Sequence, residues 1–379
     1  MTVIRGNIVT PDGVLEGGIV RLEGARIAEV LEAGAPAASV ELDLGDGWVL
    51  PGFVDMHCHG GSGCDFMDAT GEALATIAEF HGRHGTTSML ATTMTAPKAA
   101  IDAVLRAASD YIAAASPRGA RLLGVHLEGP FISPKWPGAQ NPDFIVPPRL
   151  DWLREWTEAY PSVVKQLTLA PETEGAIEMI RELARLGIVA AAGHTDATYD
   201  ELVRAADAGL SQAVHTFNAM TPLHHRKPGV AGAVLTDPRI AAEAIADGVH
   251  LHPAVVKLLT QTKTADNLIL ITDAISAAGL EDGPYSLGGQ EVTVKDGVAR
   301  LTHGDSLAGS TLTMIDAFRF VVRLGLSVPE ASRLASANAA KQLRRDDIGA
   351  IRPGAAADVV LLTADLDIVR VYRDGAAIA

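Results

Sequence analysis

Gly52-Phe53-Val54-Asp55-Met56-His57-Cys58-His59-Gly60 follows Pro51 and runs into the loop Gly60-Gly61-Ser62-Gly63. An apolar run that ends in His-Cys-His before a glycine-rich loop predicts a buried strand delivering two imidazoles to its carboxyl end. Residues two apart on a strand point to the same face. His57 and His59 therefore project together, in the geometry that lets two imidazoles hold one metal ion. Cys58 points the opposite way.

Outward from this stretch, residues 51 to about 350 alternate apolar runs with segments of helical periodicity. Strands are expected to end near His59, Thr93, Glu128, Glu172, His194, Asn218, His250 and Asp273. Helices are expected over 72–84, 97–115, 174–186, 198–208 and 253–262. Eight strands alternating with helices predict a TIM-like (β/α)8 barrel over residues 51–352. Before it, short alternating runs (Val3-Ile4, Gly18 to Leu22, Arg26 to Val30) are separated by turn signals such as Asp12-Gly13 and Glu23-Gly24. That pattern predicts an antiparallel arrangement with hairpin turns. The C-terminus repeats it in Ala357 to Leu362 and Ile368 to Tyr372. Residues 1–50 and 353–379 are thus expected to form one small β-sandwich domain from both chain ends.

Composition narrows the function. The 379 residues are 48% hydrophobic, enough for a large core, and carry a formal net charge of −15. That charge argues against nucleic acid and anionic membranes as partners. No stretch approaches the roughly 20 apolar residues that span a bilayer. Met1-Thr2-Val3-Ile4-Arg5 enters an alternating pattern directly, so no signal peptide is expected. Cys58 and Cys64 read as reduced, non-catalytic thiols of a cytoplasmic protein.

A (β/α)8 barrel collects its functional side chains at the carboxyl ends of its strands. Here those ends carry His57 and His59, Glu128, His194, His215 and Asp273. His57 and His59 with Asp273 are placed to hold one divalent ion and His194 with His215 a second, with Glu128 as the bridge. Imidazole and carboxylate donors suit zinc first, and iron, manganese or cobalt as well. One or two ions per subunit are consistent with this set. Such an ion acidifies water and polarises an amide carbonyl. Asp273 can then take the water's proton and pass it to a leaving nitrogen. His250, off the metal set, can hydrogen-bond the carbonyl oxygen or the substrate. In so acidic a chain, His224-His225-Arg226-Lys227 makes a local anion site, with the Arg226 guanidinium suited to phosphate. Phe131 and Trp136 lie on the proline-rich segment after the third strand, which reads either as a lid or as a plain surface loop.

The Pro-Gly-Phe-Val-Asp-Met-His-Cys-His opening, the lone histidines at two later strand ends, the aspartate at the eighth and the tail Ile351-Arg352-Pro353-Gly354 resemble the amidohydrolase superfamily. Many members bridge two metals with a carbamylated lysine on strand four. Here Lys165 sits near the start of that strand, so the bridge is expected to pass to Glu128. That change resembles the branch acting on N-acetylhexosamine 6-phosphates, as do His126 to Phe131, Gly193-His194-Thr195, His215 to Met220, Asp247 to His250 and Leu307 to Met314. The resemblance implies metal-dependent hydrolysis of an acetamide, with N-acetylglucosamine 6-phosphate as the expected substrate, in a homodimer. It places Ala139, Gln140, Asn218, Ala219, Arg226, His250 and Leu307 at the substrate. Gln140 stands where many members have histidine, so hexosamine preference is expected to be sensitive to it. The alternatives are another amide, such as N-acetylgalactosamine 6-phosphate, a cyclic amide or an N-acyl amino acid, and a non-catalytic barrel scaffold.

Overall fold

A computed structural model describes residues 1–379 except 36–38, 117 and 264–265. Eight parallel strands lie in sequential order: Phe53–Asp55, Thr86–Thr93, Arg121–Glu128, Val164–Leu169, Val189–Ala192, Gln212–Ala213, Ala241–Ile245 and Leu268–Ile271. The first and eighth strands do not share a ladder, and the loops beyond them close the barrel instead. Asp273 N–H donates to His57 O (2.8 Å), His59 N–H to Ala274 O (2.8 Å), and the Thr272 hydroxyl to the buried Asp55 carboxylate (2.6 Å). The expected (β/α)8 barrel is the observed one.

Helices cover the outside because their apolar residues recur on one face. In Ala176–Leu186 the buried residues are Ala176, Met179, Ile180 and Leu183, a spacing that makes one stripe. Tyr199–Ala208 begins at a capping box of Thr198 and Glu201 and stops at Gly209, whose φ of +116° no longer continues the helix. The expected helices lie within about two residues of the observed ones. The strands end earlier than expected at six of eight positions: His194 lies two residues past its strand and His250 five. Their ligand-bearing loops leave the ladder at once, and His194 (φ +46°), His215 (φ +30°) and Asp273 (φ +51°) adopt left-handed backbone, which a continued strand cannot hold.

Both chain ends build one seven-stranded sheet, with Leu42–Pro51 between Val359–Leu362 and Thr2–Thr10. The latter contact is parallel, with Ile8 opposite Val49, whereas the sequence pattern suggests antiparallel pairing throughout. A three-stranded meander, Gly283–Leu287, Gln290–Lys295 and Val298–Leu301, is inserted after the eighth strand and is not anticipated by the alternation of strands and helices. Arg121 joins sheet to barrel: its guanidinium donates to Asp358 (2.7 and 3.2 Å), Asp374 (2.6 Å) and the Ser88 hydroxyl (3.0 Å). Asp358 is buried. Arg121→Met strands that carboxylate, and stability should fall by about 3 kcal/mol, the scale of a broken buried pair. Urea unfolding monitored by circular dichroism checks this, and an unchanged midpoint would show that the contact is not structural.

Candidate metal centre

The carboxyl ends of the first, third, fifth, sixth and eighth strands bring their imidazoles and carboxylates into one buried cluster. Glu128 Oε1 lies 3.3 Å from His57 Nε2, 3.2 Å from His194 Nε2 and 3.0 Å from His215 Nε2. Glu128 Oε2 lies 3.2 Å from His59 Nε2, and Asp273 Oδ1 lies 3.5 Å from His57 Nε2 and 3.2 Å from His59 Nε2. Two donor groups result, His57, His59 and Glu128, and Glu128, His194 and His215. Glu128 belongs to both groups. Lys165 is the second residue of its strand, far from the carboxyl end, and contributes nothing to the cluster.

Three of the imidazoles have their Nδ1 side committed to an acceptor: His57 to Glu243 Oε2 (2.9 Å), His194 to Trp136 O (3.0 Å) and His215 to Asn218 O (3.2 Å). Each ring therefore keeps a proton on Nδ1 and turns Nε2 inward as the nitrogen that would offer its lone pair to a metal, the arrangement that outer hydrogen bonds impose on metal-binding histidines. The consequences show in the interior. His194 Nε2 and His215 Nε2 face each other at 3.2 Å, and His57 Nε2 is buried with no hydrogen-bond partner. Lone pairs held against lone pairs and carboxylates are satisfied by a cation. Spacings of 3.0–3.5 Å between donors also match the edge, about 3.3 Å, of a tetrahedron with 2.0–2.1 Å bonds. The residues present fit one or two divalent ions.

Electrostatics give the same result. Burial pulls the His57 imidazole down, but Glu128, Asp273 and Glu243 outweigh it and hold it well above the ordinary range. Burial likewise opposes charge on His59, yet Asp273 and Glu128 raise it to about 9. Against burial, His57, His194 and His215 hold Glu128 well below the usual carboxylate range, and His57 and His59 hold Asp273 low.

Above the cluster opens a cleft of about 410 Å³ lined by His59, Glu128, His194, His215 and Asp273 at its floor. Its walls include Ala139, Gln140, Asn218, Ala219, His250 and Leu307, so six of the seven residues expected at the substrate line one space. His57 is sealed beneath the floor. Arg226 is not among the lining residues; it is exposed in the turn His224 to Lys227 and donates to His225 Nε2 (2.6 Å). His250 is oriented by Asp247, whose carboxylate accepts from its Nδ1 (2.6 Å) and from its backbone N–H (2.8 Å). Gln140 is buried, with Oε1 accepting from Thr95 N–H (2.6 Å) and Nε2 donating to Glu128 Oε2 (2.7 Å). Phe131 packs in the core, and Trp136 lines the cleft with Nε1–H donating to Asp196 (2.9 Å). Cys58, beside its two ligand neighbours, is buried against His81 Nε2 at 3.2 Å, and burial pushes its thiol well up, away from reactivity. Lys135, Ser306 and the meander residue Leu287 also line the cleft and had no signal in the linear motifs.

The model of the amidohydrolase family matches residues 48–378. The chain is 41% identical over 368 residues to an N-acetylglucosamine-6-phosphate deacetylase of Bacillus subtilis, covering 96% of this chain and 93% of that one. It is 37% identical over 370 residues to an N-acetylgalactosamine-6-phosphate deacetylase of Escherichia coli O157:H7, covering 97% and 96%. Among solved structures, an aspartate-to-alanine mutant of the N-acetyl-D-glucosamine-6-phosphate deacetylase of Mycobacterium smegmatis, in complex with N-acetyl-D-glucosamine-6-phosphate, superposes with a TM-score of 0.95 at 37% identity, covering 100% of this chain and 99% of that one.

Because imidazoles ligate only when neutral, metal must displace the protons that His57 and His59 retain. Apparent affinity should therefore be weakest in acid and rise with pH through the region near 9 where His59 loses its proton. Competition against a chelator across pH 6 to 10, corrected for the chelator's own protonation, measures this. A flat profile would contradict the assignment of these imidazoles as ligands.

Proposed function

The chain belongs to the amidohydrolase family, and we propose that it hydrolyses the acetamide of N-acetylglucosamine 6-phosphate to glucosamine 6-phosphate and acetate. The observation that carries this reading is the complete ligand set, with Glu128 in the bridging place, on the floor of a cleft walled by the residues expected at the sugar. Such a reaction serves amino-sugar recycling in the cytoplasm. Zinc best suits the mixed imidazole and carboxylate set, with two ions expected, held by His57, His59 and Asp273 and by His194 and His215, and Glu128 shared.

A bound divalent ion supplies a Lewis acid for the amide carbonyl and brings the pKa of water down from 15.7 to about 7. The remaining work falls to the chain. Asp273 faces the cleft, and its depressed pKa keeps it ready to accept the proton of the attacking water. It then delivers that proton to the departing nitrogen, so the amine leaves neutral. His250, fixed by Asp247, presents Nε2 to the acetyl oxygen or to the sugar. Asn218 and Ala219, with Trp136, Ala139 and Gln140, wall the space for the sugar.

Acetate release from N-acetylglucosamine 6-phosphate and from the unphosphorylated sugar, by protein stripped and reloaded with single metals, tests the reaction. Metal-dependent release from the phosphorylated sugar alone is expected, and release from neither would refute it. The galactosamine epimer is the second reading, favoured by the Escherichia coli relative, and the ratio of kcat/KM for the two epimers decides between them. Asp273→Asn should lower kcat by about 10²–10⁴-fold, the worth of a positioned acid and base. For Arg226 we expect a phosphate contact made across a homodimer, since within one subunit it lies outside the cleft lining. Arg226→Ala should then raise KM for the phosphosugar at least tenfold with kcat little changed. An unchanged KM would remove Arg226 from phosphate recognition.

A further inference from the structure

Behind the metal cluster, in the barrel interior, stands a carboxylate that the reaction does not use. Glu243 lies at the centre of Ala241–Ile245, the seventh strand, and is fully buried. Its neighbours on that strand are alanines and an isoleucine. A charge in such a place is costly unless every lone pair is met and an opposite charge is near.

The lone pairs are met. Oε1 accepts from the amide of Gln166 (3.0 Å) and from that of Gln212. Oε2 accepts from His57 Nδ1–H (2.9 Å) and from the backbone N–H of His215 (3.4 Å). Four donors meet the four acceptor sites of an ionised carboxylate. The opposite charge is not met in the same way. Among the described residues no lysine or arginine forms an ion pair with Glu243, and His57 is the only ionisable side chain paired with it. The negative charge can be compensated only through that imidazole, whose Nε2 faces the metal floor.

We propose that Glu243 is the positioning residue that builds the His57 and His59 half of the metal centre. It fixes His57 as the Nδ1–H tautomer, aims Nε2 at the floor, and makes the ring a stronger donor by placing a full negative charge behind it. His194 and His215 have only neutral carbonyl oxygens in that place, from Trp136 and Asn218. The two halves of the centre are therefore unequally supported: on His215 Glu243 meets only the backbone N–H (3.4 Å), whereas on His57 it holds the ring itself (2.9 Å). This inference rests on the two-ion reading given above, but not on the identity of the substrate.

The test is metal binding without substrate. Metal-free full-length protein is titrated with cobalt(II), followed by its visible absorption, with total metal measured by mass spectrometry. Wild type should bind two equivalents. Glu243→Gln should keep one equivalent at wild-type affinity and weaken the other by about 10–100-fold, the range for lost outer hydrogen bonds. Glu243→Asp, which keeps the charge but withdraws it by one methylene, should fall between. Two equivalents of unchanged affinity in Glu243→Gln, or equal weakening of both, overturns the proposal, the second because it is the mark of a general structural role. If Glu243→Gln does not fold, Glu243→Asp decides alone: selective weakening of one equivalent supports the assignment and unchanged binding refutes it. A single equivalent in wild type overturns the two-ion reading and this inference together, whatever acetate release shows.

Discussion

Four imidazole nitrogens converge on one buried carboxylate, and that convergence sets the terms for the rest of the structure. Glu128 has both oxygens within 3.3 Å of histidine Nε2 atoms and is itself almost fully buried. Acceptors crowded in this way repel unless protons or metal ions lie between them. The barrel can impose the crowding because its parallel strands are locked in register, with Thr168 opposite Glu128 and Leu169 opposite Ala192. Left-handed backbone at His194, His215 and Asp273 adds roughly 1–3 kcal/mol of strain at each. The packed barrel around them offsets that cost, and in return each side chain turns inward immediately past its strand.

The fold and the inner ring of ligands were legible in the sequence because both leave linear signals. A buried parallel strand reads as an apolar run, and a ligand past its end reads as a charged or imidazole residue before a glycine or a turn. His59 and Glu128 stand directly before glycines, and His57, His194, His215 and Asp273 stand at or just past the ends of apolar runs. What lies one shell out is not marked in this way. Trp136 and Asn218 act on the metal ligands through backbone carbonyls, which any residue supplies. Glu243 left a trace, a lone acid inside Ala241-Ala242-Glu243-Ala244-Ile245, but period and turn signals do not say which strand faces it. The meander over 283–301 was hidden for a different reason: its short alternating pieces interrupt a region whose length already suited the barrel pattern. The parallel pairing of Thr2–Thr10 with Leu42–Pro51 depends on how the two chain ends interleave, and local alternation carries no information on it.

The segment from Ser133 to Gln140 shows how substrate wall and metal floor are made one object. Trp136 holds Asp196 with its indole and His194 with its carbonyl, while Gln140 spans from Thr95 to Glu128. Reversing the Gln140 amide would oppose two carbonyl-type acceptors at Glu128 and two donors at Thr95, so its orientation is fixed. One of its two hydrogens is thereby committed to the bridging carboxylate. A histidine in this place would divide its nitrogens differently, which is the physical basis for expecting the sugar contact to differ from that of members carrying histidine.

Charge balance then ties the metal count to the substrate. Glu128, Asp273 and, behind them, Glu243 bring three negative charges to the floor, and ligating imidazoles are neutral. One divalent ion leaves that floor negative; two make it positive. A phosphosugar carries between one and a half and two negative charges near neutrality, by the roughly −1.5 to −2 expected of a phosphate ester. Among the described residues, the only lysine or arginine lining the cleft is Lys135, already bound to Asp196 at 2.5 Å. On the proposed reading an anionic sugar would meet little spare cationic side chain in this cleft, and a second ion would change the sign of the field it meets.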